Sequence, residues 1–287
     1  MENFNIVVCI KQVPMVSELP WNTKTGTLKR ELAQGMMDPC SKLALEASLK
    51  LKQARSEDGV STRILALSMG PAMAEETLHQ AVALGADRGV LLSDRQMAGA
   101  DTCLTSFILG EYIRRFEPQT DFILCGAQTS DSETAQVGPQ LACELDMPAI
   151  GWASHLSLSG RTLIVQRHVD EFLETLEMDL PGLVTIDQGA FAPGYACLGD
   201  VQSAFETSRV TVVDAKMLGL DKEFNALKDS PTRIIEVYSP TTQKKNTVLK
   251  GAAKSVVDQL FKTYGKVISS AMGKDIEMKE GQNGKNK

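Results

Sequence analysis

Between Asn5 and Leu145 the chain repeatedly exchanges one period of hydrophobicity for another, and that exchange restricts the fold more than any other property of the sequence. The run Ile6-Val7-Val8-Cys9-Ile10, within Asn5 to Val13, is too short for a helix, lacks a polar face and is rich in β-branched residues. It reads as a strand covered on both sides. Arg63 to Ser68, Gly89 to Leu92 and Phe122 to Cys125 repeat the pattern. Helical segments separate them. Pro39 to Lys52 carries Leu45, Leu49 and Lys52 at helical spacing, with Asp38 as N-cap and Pro39 at the first helical position. Met73 to Leu84 ends at Gly85, and Asp101 to Phe116 sets Leu104, Phe107, Ile108, Tyr112 and Phe116 on one side. A further helix is expected from about Thr134 to Leu145. Strands alternating with helices require crossover connections, which are right-handed within one sheet. The expected class is therefore α/β, with a doubly wound, mostly parallel sheet.

After Pro148 the pattern changes. Ile150 to Leu158, Arg161 to Val169 and Phe172 to Leu180 are strand-like and separated by the short turns Ser159-Gly160 and Asp170-Glu171, which predicts an antiparallel extension. Leu183 to Asp187 returns the chain to the main sheet. Gln188 to Ser208 has little periodicity and reads as an extended arm, and Ala252 to Tyr264 places Val256, Val257, Leu260, Phe261 and Tyr264 on one helical face. The resulting division is an α/β domain over 1–190, a partner-docking arm and C-terminal helix over 191–272, and a polar, lysine-rich, disordered tail over 273–287.

Composition removes several classes of function. Thirty Lys and Arg against 36 Asp and Glu leave a formal charge of −6, so the chain lacks the basic excess of a nucleic-acid binder. Aromatic content of 5% argues against a base-stacking platform. No run approaches the roughly 18–20 apolar residues of a membrane span, and a soluble, cytoplasmic protein is expected. The six cysteines, Cys9, Cys40, Cys103, Cys125, Cys143 and Cys197, form no CxxC and pair with none of the three isolated histidines at zinc spacing. They are read as reduced, packed thiols, without a metal site.

In a doubly wound sheet, ligands bind beyond the carboxyl ends of the strands, where strand order reverses. The most informative loop there runs from Gly126 to Pro139, with two glycines, several hydroxyls and a helix start. Such a segment either presents backbone N–H groups to a phosphate or is an exposed connection. Met69-Gly70-Pro71 reads as a turn, and Asp101 or Thr102 as a helix cap. No GxGxxG of dinucleotide type, P-loop or serine-histidine-aspartate arrangement occurs, so no side chain is assigned as catalytic.

Six segments in order resemble the small (beta) subunit of electron transfer flavoproteins over roughly residues 3 to 270. They are Val8-Cys9-Ile10-Lys11; Met37-Asp38-Pro39 with Ala44-Leu45-Glu46-Ala47; Ser68-Met69-Gly70-Pro71; Leu84 to Gly89; the Gly126 to Pro139 loop; and Leu180-Pro181-Gly182-Leu183-Val184-Thr185. The resemblance implies an adenine-nucleotide-binding α/β fold and a heterodimer whose alpha subunit holds the redox flavin. It also implies cofactor contacts at Cys9, Lys11, Asp38, Met69, Asp101, Thr102, Gly126, Gln128, Asp131, Thr134, Gln136, Val137 and Gly138. The beta cleft takes AMP in ordinary carriers and a second FAD in the branch that bifurcates electrons. Thr134 to Pro139, Gly99 to Thr102 with Thr105-Ser106, and Ser230-Pro231-Thr232-Arg233 look like that second branch, which favours FAD with AMP as the alternative. There the implied chemistry is hydride transfer from NADH, then one electron to the alpha flavin and a flavin-dependent dehydrogenase, and one to a low-potential acceptor.

The chain also departs from the family. Ala127 replaces a lysine of the loop, Asp38 stands where asparagine is usual, and Glu133 adds an acid near the pyrophosphate position. Leu198 resembles the family's dehydrogenase anchor, but Gly199 to Glu206 replaces the lysine-rich run that follows it. These departures motivate a second reading, a nucleotide-binding regulatory protein that has lost electron transfer. A free-standing adenylating enzyme ranks last, for want of a P-loop-like signature.

Overall fold

The computed structural model describes residues 3–15, 21–22, 27–28, 35–207, 209–233 and 247–271. The chain divides into two units, Met1–Glu236 and Val237–Lys287. In the first, β1 (Asn3–Cys9) is followed by two short antiparallel ladders: β2 (Gln12–Pro14) pairs with β5 (Gly35–Met37), and β3 (Trp21–Asn22) with β4 (Thr27–Leu28). Then come α1 (Pro39–Glu57), β6 (Ser61–Met69), α2 (Glu75–Leu84), β7 (Arg88–Leu92), α3 (Thr102–Phe116), β8 (Phe122–Gly126) and α4 (Val137–Glu144). After these, β9 (Ala149–Ser159), β10 (Thr162–Val169), β11 (Phe172–Asp179) and β12 (Gly182–Ile186) precede α5 (Leu198–Glu206), β13 (Val210–Val213) and the short α6 (Ala226–Asp229).

The nine-stranded main sheet has the order β11-β10-β9-β12-β8-β1-β6-β7-β13. From β1 the chain winds outward through β6 and β7, then crosses to β8 on the other side, so the switch point lies between β1 and β8. Alternate side chains of the central strands feed two cores. Ile6, Val8, Ile64 and Leu124 pack with Leu45 of α1 and Leu78 of α2; Val7, Leu67 and Ile123 pack with Ile108 and Ile113 of α3 and Leu141 of α4. This double covering is why these strands read as unbroken apolar runs. Each such side chain contributes about 1.5–3 kcal/mol on burial.

The predicted antiparallel segments join the same sheet: β9 is antiparallel to β10 and parallel to β12. The β9–β12 ladder shifts register near Trp152, whose φ is 63° and whose N–H donates to Thr185 Oγ1 at 3.0 Å.

Four expectations are corrected. The helix expected from Met73 begins as a 3₁₀ turn at Ala72–Ala74, and α2 proper starts at Glu75. The helix expected from Thr134 starts only at Val137, because Glu133 and Ala135 have φ of 50° and 55° and break the right-handed path. On α3 the buried face is Ile108, Leu109, Tyr112 and Ile113, with Phe116 exposed and stacked on Tyr112 at 5.2 Å. Finally, the arm expected from residue 191 contains α5 and the edge strand β13, which runs parallel to β7 in register Val210↔Gly89. α5 is held to α2 by buried Ala204 and by His79, whose Nδ1 lies 2.8 Å from the Ala204 carbonyl and whose ring stacks on Phe205. Both elements belong to the first unit.

In the second unit, the helix expected over Ala252 to Tyr264 is α7 (Ala253–Ala271), with no buried residue. The expected tail, 273–287, lies outside the described residues. Among the described residues no helix is long and apolar enough to cross a membrane.

Candidate functional site

At the switch point, the loops leaving β1 and β8 meet. Lys11, just past β1, extends its ammonium to Asp131 Oδ1 (2.8 Å) and Thr129 Oγ1 (3.4 Å) in the loop after β8. Thr129 also donates to Asp131 Oδ1 at 2.8 Å and lies 2.9 Å from Ser132 Oγ. Partial burial pushes the Asp131 carboxyl up, but the hydrogen bonds from Lys11 and Thr129 outweigh it and hold the group below its ordinary range.

The first turn of α1 lies beneath this pair. Asp38 is fully buried, and its N–H donates to the Lys11 carbonyl at 2.9 Å. Oδ2 of its carboxylate accepts from Ser41 N (3.1 Å) as the predicted N-cap, and Oδ1 accepts from Ser130 N (2.8 Å). Ser41 Oγ returns the link by accepting from Lys11 N at 3.2 Å. A Cβ at Gly126 would stand 2.6 Å from the Cys40 Cβ, so only glycine lets β8 pass this close to α1. Burial, reinforced by Asp38, raises the Cys40 thiol; the Gln128 backbone opposes that shift. The neighbouring Cys9 thiol, together with burial, pushes the Cys125 thiol well up. Met69, at the end of β6, is half-buried against the same core as Cys9.

The loop after β8 continues to the second group of predicted residues. Gln136 Oε1 accepts from Thr102 Oγ1 at 2.9 Å, joining the loop to the start of α3. Asp101 caps α3 through Oδ1, which accepts from Leu104 N at 3.0 Å; Oδ2 accepts from Thr232 N (2.9 Å) and Thr232 Oγ1 (2.8 Å), and Asp101 N donates to Ser230 Oγ (3.0 Å). Burial raises the Asp101 carboxyl, but these hydrogen bonds bring it below its ordinary range. Thr134 is exposed between the two groups. The loop thus spans from the end of β1 to the start of α3.

The start of α4 completes the site. Ala135 is left-handed and Gln136 right-handed (φ −100°, ψ −32°), an alternation that turns successive N–H groups toward one point. The Gln136 side chain makes no cap bond to α4, and the first turn of the helix holds no acid, so among the described residues the positive end of its dipole has no compensating charge in that turn. Gly138 lets the helix sit against β12: a Cβ there would lie 2.6 Å from Thr185 Cγ2. The Val137 carbonyl accepts from Ser106 Oγ of α3 at 3.1 Å. An anion with two or more oxygens suits this arrangement.

The structure therefore gathers Lys11, Asp38, Gly126, Gln128 and Asp131 at one lip, and Asp101, Thr102 and Gln136 at the other. Leu198 stands on α5, 85% exposed beside Tyr195 at 91%. Sequence reasoning missed Ser41 and Thr129 as individual contributors; both look like ordinary helix-start or loop hydroxyls, and only the convergence of β1, α1 and β8 distinguishes them. Among the described residues no group of three or more His, Cys, Asp or Glu could hold a metal ion.

The profile of the family described as Electron transfer flavoprotein domain matches residues 25–217. The chain is similar to an electron transfer flavoprotein subunit beta of Thermoanaerobacterium thermosaccharolyticum, 36% identical over 89% of this chain and 96% of that protein. It is also similar to subunit CarD of the caffeyl-CoA reductase-Etf complex of Acetobacterium woodii (34%; 88% and 94%) and to Protein FixA of Azotobacter vinelandii (32%; 89% and 94%).

Proposed function

The chain belongs to the electron transfer flavoprotein family, on its beta-subunit side, and from that premise we propose that its cleft holds FAD and that it works as a heterodimer with an alpha subunit. The observation that supports a bound nucleotide is the start of α4 without a Gln136 side-chain cap, behind the left-handed Ala135, in the loop that also bonds to the cation Lys11; the resemblance of Thr134 to Pro139 favours FAD over AMP. FAD bound there supplies two-electron uptake and one-electron release. The chain's own groups bind and orient. Backbone N–H groups of 135–137 would hold the pyrophosphate, Lys11 would add a cation, and the hydroxyls of Thr129 and Thr102 would accept or donate at either end. Because Ala127 and the Lys11–Asp131 pair leave little free positive charge, the hold on phosphate rests mainly on the backbone. NADH is the proposed donor. A flavin-dependent dehydrogenase and a low-potential acceptor are the proposed recipients, in keeping with a relative named for a reductase-Etf complex.

The test is to purify the chain with its alpha partner, release the nucleotides and count them. Two flavins per heterodimer is the expected result. One flavin with AMP would make the protein an ordinary carrier, and a colourless complex would leave the regulatory reading.

A further inference from the structure

We propose that Asp38 is a positioning residue whose carboxylate latches the 128–132 lip of the cleft onto α1, and that this latch limits how fast a nucleotide leaves. The argument starts from donor and acceptor counting. An ionised carboxylate only accepts, and Asp38 gives one oxygen to each of two N–H donors, Ser41 in its own helix and Ser130 from the far side of the switch point. Neither donor can be satisfied by the other oxygen without abandoning its own bond. An asparagine at this position has one oxygen and one NH2 group: kept on Ser41 as a cap, it turns its NH2 toward the Ser130 N–H, donor against donor. The second acceptor oxygen of Asp38 therefore selects a closed lip that the isosteric amide, kept on Ser41, cannot hold.

The rest of the network makes the latch consequential. Asp38 N and Ser41 Oγ grip the carbonyl and N–H of Lys11, so the same turn of α1 fixes both segments of this lip, the end of β1 and the loop after β8. Ser130 is exposed, and its N–H is tied to a residue that is wholly buried, so the lip has an anchor beneath it rather than a surface contact. Thr129 and Asp131 flank the anchored residue and hold Lys11, and Ser132 Oγ bonds in turn to Thr129. Release of Ser130 would free the segment that covers the cation.

The experiment compares the full chain with Asp38→Asn and Asp38→Ser by amide-resolved hydrogen exchange, and measures FAD release by flavin fluorescence. Both variants keep one oxygen that can cap Ser41, and neither keeps the second oxygen that accepts from Ser130. The expected result is Ser130 exchange at least tenfold faster in both, Ser41 still protected, and FAD release accelerated by a similar factor. Should Asp38→Asn fail to fold, Asp38→Ser carries the comparison. Unchanged Ser130 exchange in a folded variant overturns the latch; faster exchange with unchanged FAD release overturns its control of release. The release readout rests on the FAD reading, whereas the exchange readout does not. A parent chain that holds no FAD therefore defeats that reading, and with it the control of release, while Ser130 exchange still decides the latch.

Discussion

Asp131 and Asp101 are the residues whose charge most directly records the folded geometry of the site. Both carboxyls lie below their ordinary value of 3.8 despite partial burial, through bonds from Lys11 and Thr129 in one case and from Leu104 and Thr232 in the other. A depressed folded pKa means that the unfolded chain binds more protons over the window just below 3.8, so stability rises with pH there. The contribution is fully present above the ordinary carboxylate range and is lost as pH falls through the depressed values. Replacing either residue by Asn should flatten the acid limb of a plot of urea-unfolding free energy against pH, with little change in its slope above pH ~6. An unaltered acid limb would show that these bonds do not persist in solution. The Asp38 and Asp101 caps were legible in the sequence because an N-cap is a local pattern. Their second partners, Ser130 and Thr232, were not, because nothing local joins residue 38 to 130 or 101 to 232.

At the scale of elements, the contact between α4 and β12 sets the position of the phosphate-facing helix start. Gly138 brings the helix to within a side chain's width of Thr185. Gly138→Ala gains helix propensity but places a methyl where Thr185 Cγ2 already sits. Overpacking of this kind costs about 1–3 kcal/mol, more than the roughly 1 kcal/mol that propensity returns. The expected outcome is lower stability in chemical denaturation together with weaker nucleotide retention; a more stable variant would mean that the helix can shift without loss. The central strands and α1 to α3 were readable because each repeats its period over enough residues. By contrast β13, with four residues, and α5, with nine, are too short to declare a period, and their place is decided by β7 and α2. The start of α4 was misread for another reason. Thr134, Ala135 and Gln136 have no helix-breaking composition, and the left-handed turn at Ala135 is imposed by the loop's closure on Lys11 and Thr102.

For the molecule as a whole, each of the two units carries exposed apolar residues of its own. All residues of both core clusters lie within the first unit. α7 has nineteen residues, none of them buried, with Val257, Tyr264 and Val267 each more than a third exposed. An isolated helix of that length is marginal in water, and an apolar stripe along it calls for a covering surface, which we assign to the alpha subunit. Tyr195 and Leu198 form the other surface, on the first unit, which we assign to the dehydrogenase. The assignments separate in one pair of experiments. Ending the chain at Glu236 should leave its unfolding midpoint within a few degrees of the full chain but weaken association with alpha at least ~100-fold, equivalent to about 2.7 kcal/mol. Leu198→Ala should leave that association intact and slow electron delivery at limiting dehydrogenase by ~10-fold or more, as for an anchor at the centre of a contact. If truncation spares the heterodimer, the helix docks elsewhere; if Leu198→Ala leaves delivery unchanged, the anchor is not on α5. A result in which each change abolishes both functions would mean that alpha and the dehydrogenase share one surface, and would overturn both assignments.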